Sequence, residues 1–401
     1  MKMIKKIVTL MLLMAVVAGG TAAVGETQVR ETVKRDKVVR REWVDENEQP
    51  AAGPEGYAAV SYTYEKASVT EMYYDTDNQP FRMPGGYYGK TSVYGTAKRL
   101  TDVYYLDERG KPAVNGSGYA HMHMVYNAYD LIKSLYYYNA ADKLTVVPDL
   151  GYAIERNEYR KNILIRKSFF DEKKNAVDSA EGYAVMTCEL NKKGQVTAVR
   201  YSHADGSPAE CRDGWASCEI EQDKNGNPLC IRYFDVSGHL TDRGMEYAYE
   251  KKQYEKDTEY TVKRYGKDNL LLTYADGYTA LRCKLNSKGQ IVRESYEDET
   301  GSRMPNAGQV FATVYSYDAH DRLVQVLYEG QDGELMLNTA GYAGYRDTLD
   351  GEGFVIRRVF LGTDEKPVNI QEGYCEIRYY YNILKEPVKI LRFDTDGVQI
   401  D

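Results

Sequence analysis

The chain has 401 residues, a formal net charge of −8, and 38 tyrosines against eight phenylalanines and two tryptophans. A nucleic-acid-binding protein normally carries a basic surface, so the acidic balance argues against nucleic acid as a partner. The hydrophobic content of 43% is enough for a folded core. Tyrosine favours strands and the 34 glycines favour turns, so the composition indicates β-structure.

The first segment of the chain, residues 1–23, has the order of a secretory signal peptide. Three lysines precede an apolar run from Ile7 to Ala18, and the small residues Thr21–Ala23 suit a cleavage site. We expect the mature protein to be secreted or extracytoplasmic, or held at the cell surface. An uncleaved membrane anchor is the alternative, because the apolar run can be extended to about 18 residues. No later segment approaches the length of a membrane span.

Two residue series repeat along the rest of the chain with a period of about 32 residues. A glycine, usually followed by an aromatic residue, occurs at Gly56, Gly86, Gly118, Gly151, Gly182, Gly214, Gly244, Gly277, Gly308, Gly341 and Gly373. A second series consists of Tyr74, Tyr105, Tyr137, Phe170, Tyr201, Tyr233, Tyr265, Tyr296, Tyr328, Phe360 and Phe393. Two independent markers with one period indicate eleven tandem repeats.

Each repeat has the pattern of a β-hairpin. Residues 182–190 alternate between apolar and polar side chains, which is the period of a strand, and a second strand is predicted over residues 196–201. Between them, Asn191–Gly194 has an Asx residue at the first position and glycine at the fourth, as a type I turn requires. A second turn of this kind closes the repeat, as in Asp235–Gly238.

The repeats predict an all-β protein of tandem hairpins, stacked as a solenoid or a superhelical ribbon. A single hairpin is barely stable, so neighbouring repeats must bury each other's apolar faces. Extending the second series backwards reaches Trp43, so we interpret residues 24–55 as a linker and a partial capping repeat. Residues 56–401 form the eleven-repeat array.

The segment Tyr315–Leu323 contains Tyr-Asp, a short turn and Arg-Leu, and it resembles the tyrosine-aspartate (YD) repeat of the bacterial rearrangement-hotspot (RHS) family. Tyr233–Gly238 is a looser version of the same motif. The resemblance implies hairpins that wind into extended ribbons or hollow shells on bacterial surfaces. The chain departs from the family pattern at Asp321, where the family usually has glycine, and most repeats lack Arg-Leu.

The residues that precede the second aromatic series suggest a binding surface. Adjacent strand residues face opposite sides of a sheet, so burial of the series exposes its predecessors. In the first four repeats these are Tyr73, Tyr104, Tyr136 and Phe169, a ladder of rings suited to stacking on the sugar rings of a glycan. In later repeats the predecessors include Arg200, Arg232, Arg264 and Arg392. The alternative is that cross-strand aromatic pairs merely stabilise the sheet.

Other chemistry is less well supported by the sequence. His121 and His123 lie two residues apart and share one face of a strand, which is a legitimate metal-ligand spacing, but no third ligand is evident and solvated histidines are the simpler interpretation. Asp223–Gly226 and Asp394–Gly397 resemble the start of a calcium loop without its distal glutamate, so turn capping suffices. We assign no metal, cofactor or catalytic residue.

The six cysteines are mostly at apolar strand positions, which favours buried thiols, although a Cys188–Cys218 bridge is the best candidate for a disulfide. The sequence therefore favours a non-enzymatic binding protein for a glycan, a cell-wall polymer or a surface protein. A spacer or adhesin stalk without a specific ligand is the structural alternative. A hydrolase that uses carboxylates is the enzymatic one.

Overall fold

A computed structural model describes residues 28–53, 55–244, 246–381 and 387–400. The signal peptide predicted over residues 1–23 lies outside this range. Within the described residues, no helix has the length and apolar character needed to cross a membrane.

Apart from one 3-10 turn at Thr96–Lys98, the described secondary structure is β-strand. The strands of the first half are β1 (Gln28–Lys34), β2 (Lys37–Val44), β3 (Ala59–Tyr64), β4 (Ser68–Tyr74), β5 (Gly89–Tyr94), β6 (Leu100–Leu106), β7 (His121–Tyr126), β8 (Ile132–Tyr138), β9 (Ile154–Arg160), β10 (Ile163–Phe170), β11 (Val185–Leu190) and β12 (Val196–Ser202). Those of the second half are β13 (Ser217–Gln222), β14 (Pro228–Phe234), β15 (Tyr249–Lys256), β16 (Glu259–Tyr265), β17 (Ala280–Leu285), β18 (Ile291–Glu297), β19 (Ala312–Tyr317), β20 (Leu323–Glu329), β21 (Gly344–Leu349), β22 (Val355–Leu361), β23 (Glu376–Tyr381), β24 (Pro387–Phe393) and β25 (Gln399–Ile400).

All these strands form one antiparallel sheet in which each strand pairs with the next in sequence, so the predicted all-β array of tandem hairpins is confirmed. Eleven described hairpins, β3–β4 to β23–β24, follow the eleven repeats. The hairpin β1–β2 precedes them and pairs with β3. Within the described chain β1 pairs only with β2, and β25 only with β24, so the sheet is an open ribbon.

The turns inside the hairpins have the predicted chemistry. In Asn191–Gly194, the Oδ1 atom of Asn191 accepts hydrogen bonds from the amides of Lys193 and Gln195, at 2.9 and 3.1 Å. Gly194 has φ of +81°, a left-handed conformation that glycine adopts without steric cost. Asp321 occupies the position equivalent to Gly194, where YD repeats usually have glycine. Its φ is +63°, which an Asp residue tolerates.

The connection between hairpins differs from the prediction. The repeat glycine was expected to begin a strand, but Gly182 has φ of +92° and lies in a tight turn closed by its own N–H and the Ser179 carbonyl, at 3.0 Å. Each hairpin is thus followed by a turn, a short bridged segment and a second turn. The bridge pairs Phe170 with Ala176 in this repeat. The connection folds back against one face of the sheet.

That face carries a single file of stacked side chains along the ribbon, which we call the spine. The spine consists of Trp43, Tyr57, Tyr73, Tyr87, Tyr105, Tyr119, Tyr137, Tyr152, Phe169, Tyr183, Tyr201, Trp215, Tyr233, Tyr247, Arg264, Tyr274, Tyr278, Tyr296, Val310, Tyr328, Tyr342, Phe360, Tyr374 and Arg392. From Trp43 to Tyr247 successive ring centroids are 4.3 to 6.2 Å apart. In most repeats a ring that follows the series glycine alternates along this file with a residue near the end of the second strand, and these side chains form most of the hydrophobic core.

Four of the six cysteines are buried, and Cys188 and Cys211 are half-buried. All six lie in the described part of the chain and are free. Cys188 on β11 and Cys218 on β13 both pair with Val199 of the strand between them, β12. Neighbouring strands are about 4.8 Å apart, so the two cysteine backbones are roughly 10 Å apart. A disulfide needs Cα atoms within about 7 Å, so the bridge considered between them is wrong. Burial raises the pKa of Cys188 to about 11 and of Cys218 to about 12, so both stay protonated at neutral pH.

Candidate functional site

The face of the sheet opposite the spine, which we call the open face, does not carry the four-residue ladder expected from the sequence. Tyr73 and Phe169 are only 4% and 3% exposed and belong to the spine. Tyr104 and Tyr136 lie on the open face and are half-buried. The expectation that all four rings share one exposed face is therefore wrong for Tyr73 and Phe169, while ligand binding by Tyr104 and Tyr136 stays a prediction.

The cause of the error is a shift of one residue in the alignment of the repeats. Isolated bridges show that Tyr74 and Phe170 are equivalent to Tyr138, since each pairs with the residue six positions later. The spine residues are the ones that come directly before them. Where two aromatic residues are adjacent, as in Tyr73-Tyr74 and Phe169-Phe170, the sequence does not show which one faces the core. The same shift moves Arg264 and Arg392, expected to be exposed, into the spine.

The open face has an apolar row that crosses three strands. Tyr136 on β8 pairs with Ile154 on β9, and Ile154 pairs with Phe170 on β10. Ile154 is fully buried between its neighbours, although it faces away from the spine. Alternation along each strand places these three side chains on one side of the sheet, so they form a continuous apolar strip.

Next to this strip is an open groove of about 320 Å³. Its lining comprises Arg166, Ser168, Phe170, Ala176, Val185, Thr187, Ser202, His203, Ala204 and Gly206. The strand register explains this set, because Arg166 pairs with Thr187, and Val185 pairs with both Ser168 and Ser202. One aromatic ring is thereby combined with three hydroxyl groups, a guanidinium and an imidazole.

The polar groups of the groove are held by their neighbours. The guanidinium Nε of Arg166 donates to the hydroxyl of Ser168 at 3.2 Å. His203 Nδ1 lies 2.6 Å from an oxygen of Asp178. The guanidinium of Arg156 lies 4.5 Å from the centroid of the Phe170 ring, a cation–π distance. Hydroxyl and guanidinium donors around one ring are suited to a polar ligand that also has an apolar surface.

A second cluster on the open face contains the two histidines singled out from the sequence. Both face away from the spine, but His121 is only 7% exposed, so it is not the solvated side chain that was expected. Its ring lies between Tyr104, at 3.9 Å between centroids, and Tyr138, at 4.8 Å, with interplanar angles below 20°. His123 contacts Tyr136 with ring centroids 5.9 Å apart. Stacking on His121 thus occupies a face of Tyr104.

Asp102 on β6 joins the two histidines of β7. Its Oδ1 atom lies 2.9 Å from Nε2 of His121 and 2.7 Å from Nδ1 of His123. Burial opposes ionisation of Asp102, but hydrogen bonds from His121, Thr101 and His123 outweigh it and lower the pKa of the carboxyl group. On the other side of His121, Nδ1 lies 3.3 Å from an oxygen of Asp142.

From β17 onwards, beyond the stacked rings of Tyr249 and Tyr265, the open face carries several ion pairs. Arg282 binds Glu297 and also Glu255, and Arg357 and Arg378 both bind Glu376, at 2.5 and 2.6 Å. The hydrogen bond from Arg357, with help from Arg378, lowers the pKa of Glu376. These ion pairs contrast with the stacked rings around His121 in the first half.

The two segments compared with calcium loops are turns closed by their own side chains. The Oδ1 atom of Asp223 accepts from the amides of Asn225 and Asn227 at 2.7 and 2.9 Å. Asp394 caps the amides of Asp396 and Val398 in the same way, at 3.0 and 2.8 Å. These contacts agree with the turn-capping interpretation.

Sequence reasoning missed the groove and the third member of the histidine cluster. Alignment of the repeats by the first residue of the closing turn, which is Asp75, Asp107 or Asp171, would have placed Phe170 on the open face. Asp102 precedes His121 by 19 residues, and the second strand of one repeat lies beside the first strand of the next. That adjacency was the available signal for Asp102.

Comparisons with known proteins identify no family. No protein-family profile matches the chain, and no curated protein matches it. Among solved structures the chain is similar to a crystal structure of TcdB2-TccC3-TEV, with 11% identity and a TM-score of 0.30 over 88% of this chain and 19% of that one. It is also similar to a porin-like protein from Bacteroides uniformis, with 11% identity and a TM-score of 0.23 over 83% and 92% of the two chains. The chain spans about a fifth of the first of these, and such low scores carry no argument about function.

Proposed function

We propose that the protein is a non-enzymatic repeat protein of the bacterial cell exterior that binds an extended glycan of the envelope along the open face of its first half. The observation that carries the proposal is the groove beside Phe170, where one ring is surrounded by hydroxyl and guanidinium groups. Sugar rings have apolar faces that stack on aromatic side chains and hydroxyl groups that need hydrogen-bond partners.

The strip and the groove together are longer than one sugar ring. Strands are about 4.8 Å apart, so the row from Tyr136 to Phe170 extends roughly 10 Å, and the groove continues it over β11 and β12. A linear polymer laid across the strands would contact several repeats at once. Repeat proteins commonly use such extended surfaces for binding.

The direct test is retention of the purified chain on insoluble peptidoglycan and on a panel of immobilised polysaccharides. Phe170→Ala should weaken retention about tenfold, which corresponds to about 1.4 kcal/mol. Phe234→Ala is the matched control, because Phe234 occupies the equivalent position two repeats later. Tyr129→Ala, at a turn residue that is 62% exposed, controls for general loss of surface tyrosine.

A spacer or stalk without a ligand is the second candidate. This candidate is favoured by the way the ribbon is built, because each strand packs mainly against the strands before and after it in sequence, as in an extended repeat protein. Absence of wild-type retention on every glycan would support this candidate. Equal losses for Phe170→Ala and Phe234→Ala would show that binding does not use the groove.

A further inference from the structure

Asp102, His121 and His123 have the dimensions of a metal-coordination sphere. One potential ligand atom from each residue lies within 4.8 Å of the other two. Tetrahedral ligands of zinc, at 2.0–2.2 Å from the metal, stand about 3.3 Å from one another. The two contacts of Asp102, at 2.9 and 2.7 Å, are slightly shorter than that spacing. Small side-chain shifts would therefore admit an ion between the three groups.

The surroundings of His121 fix its ring in the orientation that a metal ligand needs. Metal-binding histidines usually donate their second ring N–H to a carboxylate or carbonyl, which selects the tautomer. Nδ1 of His121 has such a partner in Asp142, at 3.3 Å, which leaves Nε2 directed at the cluster. The parallel rings of Tyr104 and Tyr138 prevent the imidazole from turning.

We propose that Asp102, His121 and His123 form a binding site for one divalent transition-metal ion of the zinc class. The ligands are Nε2 of His121, Nδ1 of His123 and a carboxylate oxygen of Asp102. Two imidazoles and one carboxylate suit zinc and its neighbours, whereas magnesium and calcium prefer oxygen ligands. The side chain of His123 is 36% exposed, so an ion has access from solvent, and water or an anionic group of a ligand can complete the coordination.

The position of the site gives the ion a structural consequence. β6 belongs to one repeat and β7 to the next, and the two strands pair at only three residue pairs, whereas β7 and β8 within one hairpin pair at six. An ion held by Asp102 and both histidines links the two repeats at this narrow junction. A ligand that binds only the folded state stabilises that state, so metal should stabilise the region around β6 and β7 in particular.

The test uses the full-length chain without a histidine tag, stripped with a chelator and titrated with zinc by calorimetry. We expect one zinc per chain, and Co²⁺ in its place should give the visible absorption bands of a tetrahedral site. Zinc should slow amide hydrogen exchange in β6 and β7 more than in β13 and β14. Magnesium and calcium should not compete. This experiment is independent of glycan retention.

Three variants locate the ion. Asp142→Asn changes a side chain that is 76% exposed, so it should fold normally and weaken zinc binding about tenfold through His121. His123→Ala removes a ligand and should weaken binding more than Asp142→Asn does. His203→Ala is the matched control, because His203 has a similar contact with Asp178, at 2.6 Å, but no second histidine.

Three results would overturn the proposal. One is the absence of stoichiometric zinc binding to the wild-type chain. Another is an equal loss of affinity in His203→Ala and His123→Ala, which would indicate scattered surface binding. The third is unchanged affinity in Asp142→Asn together with unchanged hydrogen exchange in β6 and β7, which would place any bound ion elsewhere.

Discussion

The ribbon before Tyr247 and the ribbon after it have the same backbone arrangement but pack it with different side chains. From Trp43 to Tyr247 the spine is an unbroken run of aromatic rings. Beyond Tyr247 it is interrupted by Arg264, Val310 and Arg392. The open face differs as well, because the stack around His121 contrasts with the ion pairs around Glu376.

Arg264, which stands where most repeats have an aromatic residue, shows what the spine position requires. The guanidinium lies 4.3 Å from the ring centroid of Tyr247 and 4.7 Å from that of Tyr274, so it fills a ring's place between two rings. Glu250 lies 3.3 Å from its Nε atom. A flat group that stacks on both sides satisfies the position, because the attraction between a cation and an aromatic face takes the place of ring–ring contact.

The largest effect is expected at Phe169, one of two adjacent phenylalanines of the first half. Phe169→Ala removes a ring that is 3% exposed and stacked 4.4 Å from Tyr152, and it should lower the free energy of unfolding by about 3–5 kcal/mol. Phe170→Ala, on the open face, should cost about 1 kcal/mol. Urea unfolding followed by circular dichroism measures both.

This pair separates stability from binding. Phe170→Ala should weaken glycan retention about tenfold while it stays folded, whereas Phe169→Ala should mainly lower the free energy of unfolding. A similar cost for both variants would mean that the two faces contribute equally to the core, contrary to the assignment of Phe169 to the spine.

A smaller effect is expected at Arg264 in the second half. Arg264→Ala removes two cation–π contacts and should lower the free energy of unfolding by about 1–3 kcal/mol. Arg200→Ala is the control, since Arg200 is an exposed arginine paired with Glu189 at 2.8 Å, and such surface pairs contribute about 0–1 kcal/mol. If Arg200→Ala cost as much as Arg264→Ala, the guanidinium would not be acting as a member of the spine.

The smallest effect concerns the ion pairs of the second half and depends on pH. Contacts with Arg357 and Arg378 lower the pKa of Glu376 in the folded state. Its contribution is therefore present above the unfolded value of about 4.3 and lost as the pH falls through the folded pKa. Wild type should exceed Glu376→Gln in unfolding free energy by about 1 kcal/mol at pH 7, and the difference should vanish towards pH 2.

Urea titrations of both proteins at several pH values provide the measurement. The first-half variant Phe170→Ala serves as the reference, because its difference from wild type involves no charged group of its own and should change little between the same pH values. A difference between wild type and Glu376→Gln that persists unchanged at pH 2 would contradict the ionic role of Glu376.

The repeat and the hairpins could be predicted from the sequence because they depend on local chemistry. Alternation over residues 182–190 and the Asx-x-x-Gly pattern of Asn191–Gly194 each act within one hairpin, and β11 and β12 follow them. The backward extension from Tyr74 reached Trp43, and Trp43 belongs to the spine although Tyr74 does not. The turn at Gly182, which is the later of the two turns in the connection between hairpins, was missed. A glycine before an alternating run also fits the start of a strand.

The sequence by itself determined the period, the strand–turn–strand unit and the number of repeats, since turns and alternation depend on residues only a few positions apart. Only the tertiary structure decided which of two adjacent rings joins the spine, and which side chains of neighbouring repeats meet. A shift of one residue in strand register moves every side chain to the other face. The contact of Asp102 with His121 and His123, like the groove at Phe170, exists only because one hairpin pairs with the next in that particular register.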